Sequence, residues 1–139
     1  MWVALLQKTA LVAIPFSEKI SLSPLHWHIA DETGSIVLEC TREGMKIYHN
    51  PVGVMTNSPP FDFHLNNINN YAKLSANDPE AFFGEGLTFS RYSRGMGAIG
   101  LPGDCSSTSR FVRAAFTKTN SVSGDGEDES ISQFFHILG

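Results

Sequence analysis

Residues 25–50 read "LHWHIADETGSIVLECTREGMKIYHN", and the punctuation of this stretch decides the fold class. An aromatic, apolar run ends at the glycine-containing turn "DETG". The β-branched run "SIVLEC" follows, and "REG" around Gly44 marks the next turn. In "MKIYHNP", Met45 and Ile47 alternate before a polar tip, and "VGVMTN" at 52–57 reads as the last member of the series. Short strands joined by tight turns predict an antiparallel meander.

Downstream the period changes from two to 3.6. Ser58 is placed to cap a helix, with Pro59 at its first position, where the missing N–H costs nothing. Phe61, Leu65, Ile68 and Ala72 then form one apolar stripe. "CSSTSRFVRAAFTK" at 105–118 reads as a second helix with Phe111, Val112, Ala115 and Phe116 on one face. After the acidic linker "SVSGDGEDES", Ile131, Phe134, Phe135 and Leu138 recur at the spacing of a third helix. Strands first and helices after give an α+β class. The linker's carboxylates sit in solvent and favour the start of that last helix.

Upstream of the meander, "MWVALLQKTALVAIPF" has no basic segment before its apolar run, and Lys8 interrupts it. A helix end and a core strand over 9–16 are expected there, not a secretory leader. The segment 74–103 is long, irregular and rich in Ser, Pro, Gly, Phe and Arg, which suits a functional or interaction-bearing loop.

The 139 residues make about one domain. A formal net charge of −4 argues against a sequence-independent grip on nucleic acid, and no run is apolar enough to span a bilayer. Cys40 and Cys105 are expected to be reduced, packed as small hydrophobes in a cytoplasmic protein. His26 and His28 share one strand face, but with no carboxylate spaced to join them a metal site is not expected; His49, His64 and His136 are scattered.

The blocks "PLHWHIADETGSIVLE", "NPVGVMTNSP", "YSRGMGAIGLPGD" and "SSTSRFVRAAF", followed by "QFFHILG", occur in this order. Together they resemble the choloylglycine hydrolase family, which includes conjugated bile acid hydrolases and penicillin V acylases. The resemblance runs from about Thr9 to the C-terminus. It implies an N-terminal-nucleophile hydrolase fold, the αββα sandwich of two antiparallel sheets between helical layers. Residues 1–139 would be a single partial domain of it. It implies amide hydrolysis by a cysteine that becomes the mature N-terminus, with its own α-amino group as base. No cofactor or metal is implied.

In this sequence Met1 is followed by Trp2, where the family pattern has its cysteine close to the start. The chain is therefore expected to be an internal fragment, inactive alone, cut from a bile salt hydrolase. The alternatives are a penicillin V acylase fragment or a non-catalytic steroid-binding or inert product. With strand edges and an apolar face uncovered, an isolated chain is expected to self-associate.

Residue by residue, the resemblance makes Asn57, in "TNSP", a side-chain donor to the oxyanion, although spacing alone favours a turn asparagine. Arg110, in "SRFVR", matches the arginine beside the nucleophile, where a guanidinium favours the thiolate; Arg113 reads as a surface residue. Asp104 is expected to cap the second helix, with tying down the preceding loop as the alternative, and Cys105 to pack in the core. Ile14 and Phe16 correspond to a loop bordering the bile-acid pocket, although a buried strand would use the same residues. The 74–103 segment, with Phe82, Phe83, Phe89 and Tyr92, resembles the excursion through which family members form homotetramers.

Overall fold

The computed structural model describes residues 5–6, 8–22, 25–80 and 82–138, apart from the side chains of 82, 83, 88 and 138. Expectations on Met1, Trp2 and Pro24, and on the side chains of Phe82, Phe83 and Leu138, lie outside these. The chain forms two compact units, Met1–Gly53 and Val54–Gly139.

The first unit holds the meander. Strands β1 (His26–Asp31), β2 (Gly34–Thr41) and β3 (Gly44–His49) form one antiparallel sheet in that order. The turns set the register: Asp31 faces Gly34 and Thr41 faces Gly44, so His26 faces Glu39 and Leu38 faces Ile47. At the first turn the Asp31 carboxylate accepts from the Thr33 N–H and hydroxyl at 2.8 and 2.6 Å, an Asx turn. Gly44, at φ 112°, supplies a backbone that other residues resist at the second. Central β2 is buried from Ile36 through Glu39.

Two strand expectations fail. Residues 9–16 contain no strand and are exposed; a turn with Lys8 N–H bonded to the Leu5 carbonyl at 3.1 Å precedes them. Residues 52–57 are irregular too, so Asn57 does not end a strand. Proline, glycine and asparagine around them satisfy the backbone locally: Asn50 Oδ1 accepts the Gly53 N–H at 2.9 Å.

The second unit is helical, with a small hairpin. Helix α1 (Phe61–Asn67) tightens into a 3-10 turn, Ile68–Tyr71. It begins two residues later than Pro59, with Pro60 at the N-cap and a cis Ser58–Pro59 bond before it. Strands β4 (Phe82–Gly84) and β5 (Leu87–Thr88) pair within the long loop. The base of that loop is cinched. Ser75 N–H reaches the Gly97 carbonyl and Met96 N–H reaches Asp78 Oδ1, both at 2.9 Å. A Cβ on Gly97 would sit 2.0 Å from the Asn77 carbonyl oxygen, so only glycine fits.

Helix α2 (Ser107–Asn120) buries Ser109, Phe111, Val112 and Ala115. Phe111 meets α1 edge-on at Phe61, centroids 6.1 Å apart, and stacks on His64 at 4.8 Å. Helix α3 (Glu127–Leu138) takes in the end of the acidic segment: Glu127, Asp128 and Glu129 form its first turn. No helix among the described residues is long and apolar enough to cross a membrane.

Candidate functional site

A network of polar contacts in the second unit lies where residues 56–57 meet the start of α2. Ser106 caps α2, its hydroxyl accepting the Ser109 N–H at 3.3 Å. That start fixes the first-turn side chains. Thr56 Oγ1 donates to the Ser107 carbonyl at 3.0 Å, and Ser107 Oγ donates to the Asn57 carbonyl at 2.7 Å. Residues some fifty positions apart are thereby held in register.

Arg110, on the same turn, reaches two acceptors. Its Nε donates to the Cys105 carbonyl at 3.1 Å and its Nη2 to Asn57 Oδ1 at 2.9 Å. A guanidinium only donates, so the contact fixes which end of the Asn57 amide is oxygen. Nδ2, the donor end, therefore lies on the side away from the guanidinium. Both side chains are exposed. The pair offers what an anion needs: an oriented amide N–H₂ with a fixed positive charge beside it.

Below the pair sits His64. Its ring is 1% exposed, and Nε2 lies 2.9 Å from the Asn57 carbonyl oxygen. The sequence reading passed over this residue. A usable signal existed, because His64 falls on the apolar stripe begun by Phe61, where an ordinary polar side chain would be out of place.

Asp104 does not cap α2; that role belongs to Ser106. Asp104 instead ties the preceding loop, accepting the Ser106 N–H at 2.9 Å and the Ser109 hydroxyl at 2.6 Å. Hydrogen bonds from Ser106, then from Ser109, hold its carboxyl well below the usual carboxylate range. Arg113 is no free surface residue either: its Nη1 donates to the Pro102 and Asp104 carbonyls at 3.0 and 2.6 Å. Cys105 and Cys40 are both exposed free thiols, not core side chains: Cys105 lies in the loop before α2 and Cys40 near the end of β2.

Ile14 and Phe16 belong to the first unit and are 72% and 90% exposed, so the buried-strand account of them is gone. In that unit a carboxylate does join His26. Glu39, 2% exposed, places Oε1 2.5 Å from His26 Nδ1 across β1 and β2. His28 Nε2 instead lies 3.3 Å from Asn50 Nδ2. Phe89 and Tyr92 of the long loop are 52% and 83% exposed.

Comparison with known proteins bears on what this junction belongs to. The chain is 60% identical over 134 residues to a bile salt hydrolase/transferase of Lactiplantibacillus plantarum, an alignment covering 96% of the chain and 41% of that relative. It is 42% identical over 135 residues to a bile salt hydrolase/transferase of Clostridium perfringens, again 41% of the relative's length. Crystal structures of two variants of the conjugated bile acid hydrolase from Clostridium perfringens superpose with TM-scores of 0.73 and 0.74. Each matches at 42% identity over 90% of this chain and 38% of that one. The chain thus spans about two fifths of the relatives it matches. The family model for linear amide C–N hydrolases of the choloylglycine hydrolase family matches residues 3–139, and the chain belongs to that family.

Proposed function

We propose that this chain forms the oxyanion side of a conjugated bile acid hydrolase, in which a cysteine N-terminal nucleophile cleaves the amide joining a steroid acid to glycine or taurine. The names of the relatives supply the substrate class. The observation that carries the reading is the 2.9 Å contact between Arg110 and Asn57 Oδ1, which turns the Asn57 N–H₂ outward as a donor. Attack of sulfur on the amide carbonyl moves an electron pair onto oxygen. Asn57 stabilises that oxygen, and the charge of Arg110 favours both the thiolate and the oxyanion. Collapse expels the amine, protonated by the α-amino group that took the thiol proton, and water then hydrolyses the thioester.

The sulfur is supplied from outside these 139 residues. Cys40 and Cys105 are internal and have no α-amino group to act as base. The complete fold is the αββα sandwich, to which the described sheet and helices contribute in part. Ile14 and Phe16, exposed in the first unit, contact the steroid, and the protein is a cytoplasmic tetramer assembled through residues 74–103, where Phe89 and Tyr92 are exposed.

The test is release of glycine or taurine by the full-length hydrolase, with Asn57→Ala beside the parent. The variant is expected to lose roughly 10²–10³ in kcat, and bile conjugates are expected to outrun penicillin V. The 139-residue polypeptide by itself is expected to release neither amine. An Asn57→Ala enzyme of full activity, or turnover by the short polypeptide, overturns the reading.

A further inference from the structure

Among the described residues, two buried titratable side chains have no part in the chemistry above: Glu39, which is joined to His26, and His64. His64 is 1% exposed, stacked on Phe111 at 4.8 Å and 21°, with Phe63 edge-on at 6.2 Å. A ring in such a place could simply fill the core, and phenylalanine or leucine would fill it without the penalty of burying two polar nitrogens. The nitrogens therefore need an account.

Nε2 has one: it lies 2.9 Å from the Asn57 carbonyl oxygen, with Thr56 Oγ1 at 3.5 Å. A carbonyl accepts and never donates, so Nε2 carries the hydrogen. Nδ1 is fully buried and meets no hydrogen-bond partner among the described residues. A proton there would place a charge in an apolar setting with nothing to receive its N–H. The ring is therefore neutral and fixed in the Nε2–H tautomer.

We propose that His64 is a positioning residue for the oxyanion donor: its neutral Nε2–H holds the Asn57 carbonyl and so fixes the direction of the Asn57 amide. Two other bonds complete the clamp. Ser107 Oγ holds the same carbonyl at 2.7 Å, and Arg110 holds the side-chain oxygen at 2.9 Å. Three donors on one residue leave little rotational freedom. His64 sets the buried side of that clamp, where solvent cannot substitute for it. The effect falls on the transition state, because the donor is needed only once charge develops on the carbonyl oxygen.

The inference rests on Asn57 serving as the oxyanion donor, and its test is arranged to separate the two. In the full-length hydrolase, His64→Leu keeps an apolar side chain but removes the donor. His64→Gln offers an amide N–H near the position of Nε2. His64→Leu is expected to lower kcat on the order of tenfold with KM unchanged, since a displaced donor weakens transition-state binding alone. His64→Gln is expected to recover most of that loss. Long-range ¹⁵N–¹H correlation spectra of the parent are expected to show the Nε2-protonated tautomer of His64; they need no variant that folds. Either the Nδ1-protonated form, or His64→Leu and His64→Gln with equal kcat, overturns the proposal. If Asn57→Ala loses activity while His64→Leu keeps it, only the positioning role fails. If Asn57→Ala itself stays fully active, the oxyanion reading fails and the positioning role goes with it.

Discussion

Helices α2 and α3 carry the same kind of sequence pattern and meet different fates. In α2 the apolar face buries Phe111, Val112 and Ala115, all at most 2% exposed, with Phe116 partly buried beside them. In α3 the corresponding residues, Ile131, Phe134 and Phe135, are 48%, 58% and 66% exposed. Both helices have organised starts. Ser106 caps α2 by its hydroxyl, whereas in α3 the carboxylate of Glu129 reaches back to the Gly126 N–H at 3.3 Å, one half of a capping box. Local sequence therefore forms both helices. Helix α3 is tied to the end of α2 by Gln133 Nε2, which donates to Ser121 Oγ at 2.7 Å. Among the described residues, however, it is the α2 face that closes on aromatic rings of another element, Phe61 and His64. Periodicity reports which face is apolar; it does not report what covers that face.

The largest effect that can break this contrast is at Phe111. Its ring touches Phe61 and His64 and is 0% exposed, so Phe111→Ala removes the contact that fastens α1 to α2. A loss of about 3–5 kcal/mol is expected in urea denaturation, as for other buried aromatic truncations. A loss below about 1 kcal/mol would mean that α2 is no better packed than α3. Because Phe111 also stacks on His64, the variant is expected to disturb the Asn57 junction as well.

A smaller effect, at the start of α2, sharpens the contrast. Asp104 lies outside the helix and accepts from Ser106 and Ser109, which depresses its pKa below the ordinary 3.8. A carboxylate more acidic in the folded protein than in the unfolded chain stabilises the fold fully above the unfolded value. That contribution is lost as pH falls through the folded value. Asp104→Asn is therefore expected to lower the denaturation midpoint modestly at pH 7, with the two proteins converging as pH drops well below 3.8. Solvent screening keeps the effect well below that of Phe111→Ala. A gap that stayed constant down to the lowest pH reached would place the role of Asp104 elsewhere than in its charge.

How far the sequence could be read follows the same division between local and tertiary causes. The hairpins were legible because turn residues fix them locally. Taken one step further, the turn between Asp31 and Gly34 also dictates that His26 faces Glu39, a pairing the linear spacing of the histidines concealed. The resemblance carried by the quoted blocks singled out Asn57 and Arg110, and the structure brings their side chains together, but their mutual orientation comes from the bonds between residues 56–57 and the start of α2. The failures at residues 9–16 and 52–57 share a cause. Apolar and β-branched residues satisfy a strand template, yet no partner strand forms there to complete the ladder. His64 was passed over because a histidine scores as polar, although the Phe61 stripe places it inward.

The smallest expected effect is also the most exposed to refutation. Phe134 and Phe135 touch each other edge-on, centroids 5.8 Å apart, and are otherwise more than half open to solvent. In a full-length hydrolase additional chain is expected to close over this face, and the contrast with α2 to disappear. In the 139-residue polypeptide the contrast stands. Phe134→Ala there is expected to change the unfolding free energy by no more than about 0.5 kcal/mol, as for exposed positions generally. The same change in the full-length protein is expected to cost several times as much. Equal costs in the two contexts would show that α3 already has its partner within these residues, and that the difference between the helices lies in their composition rather than in what surrounds them.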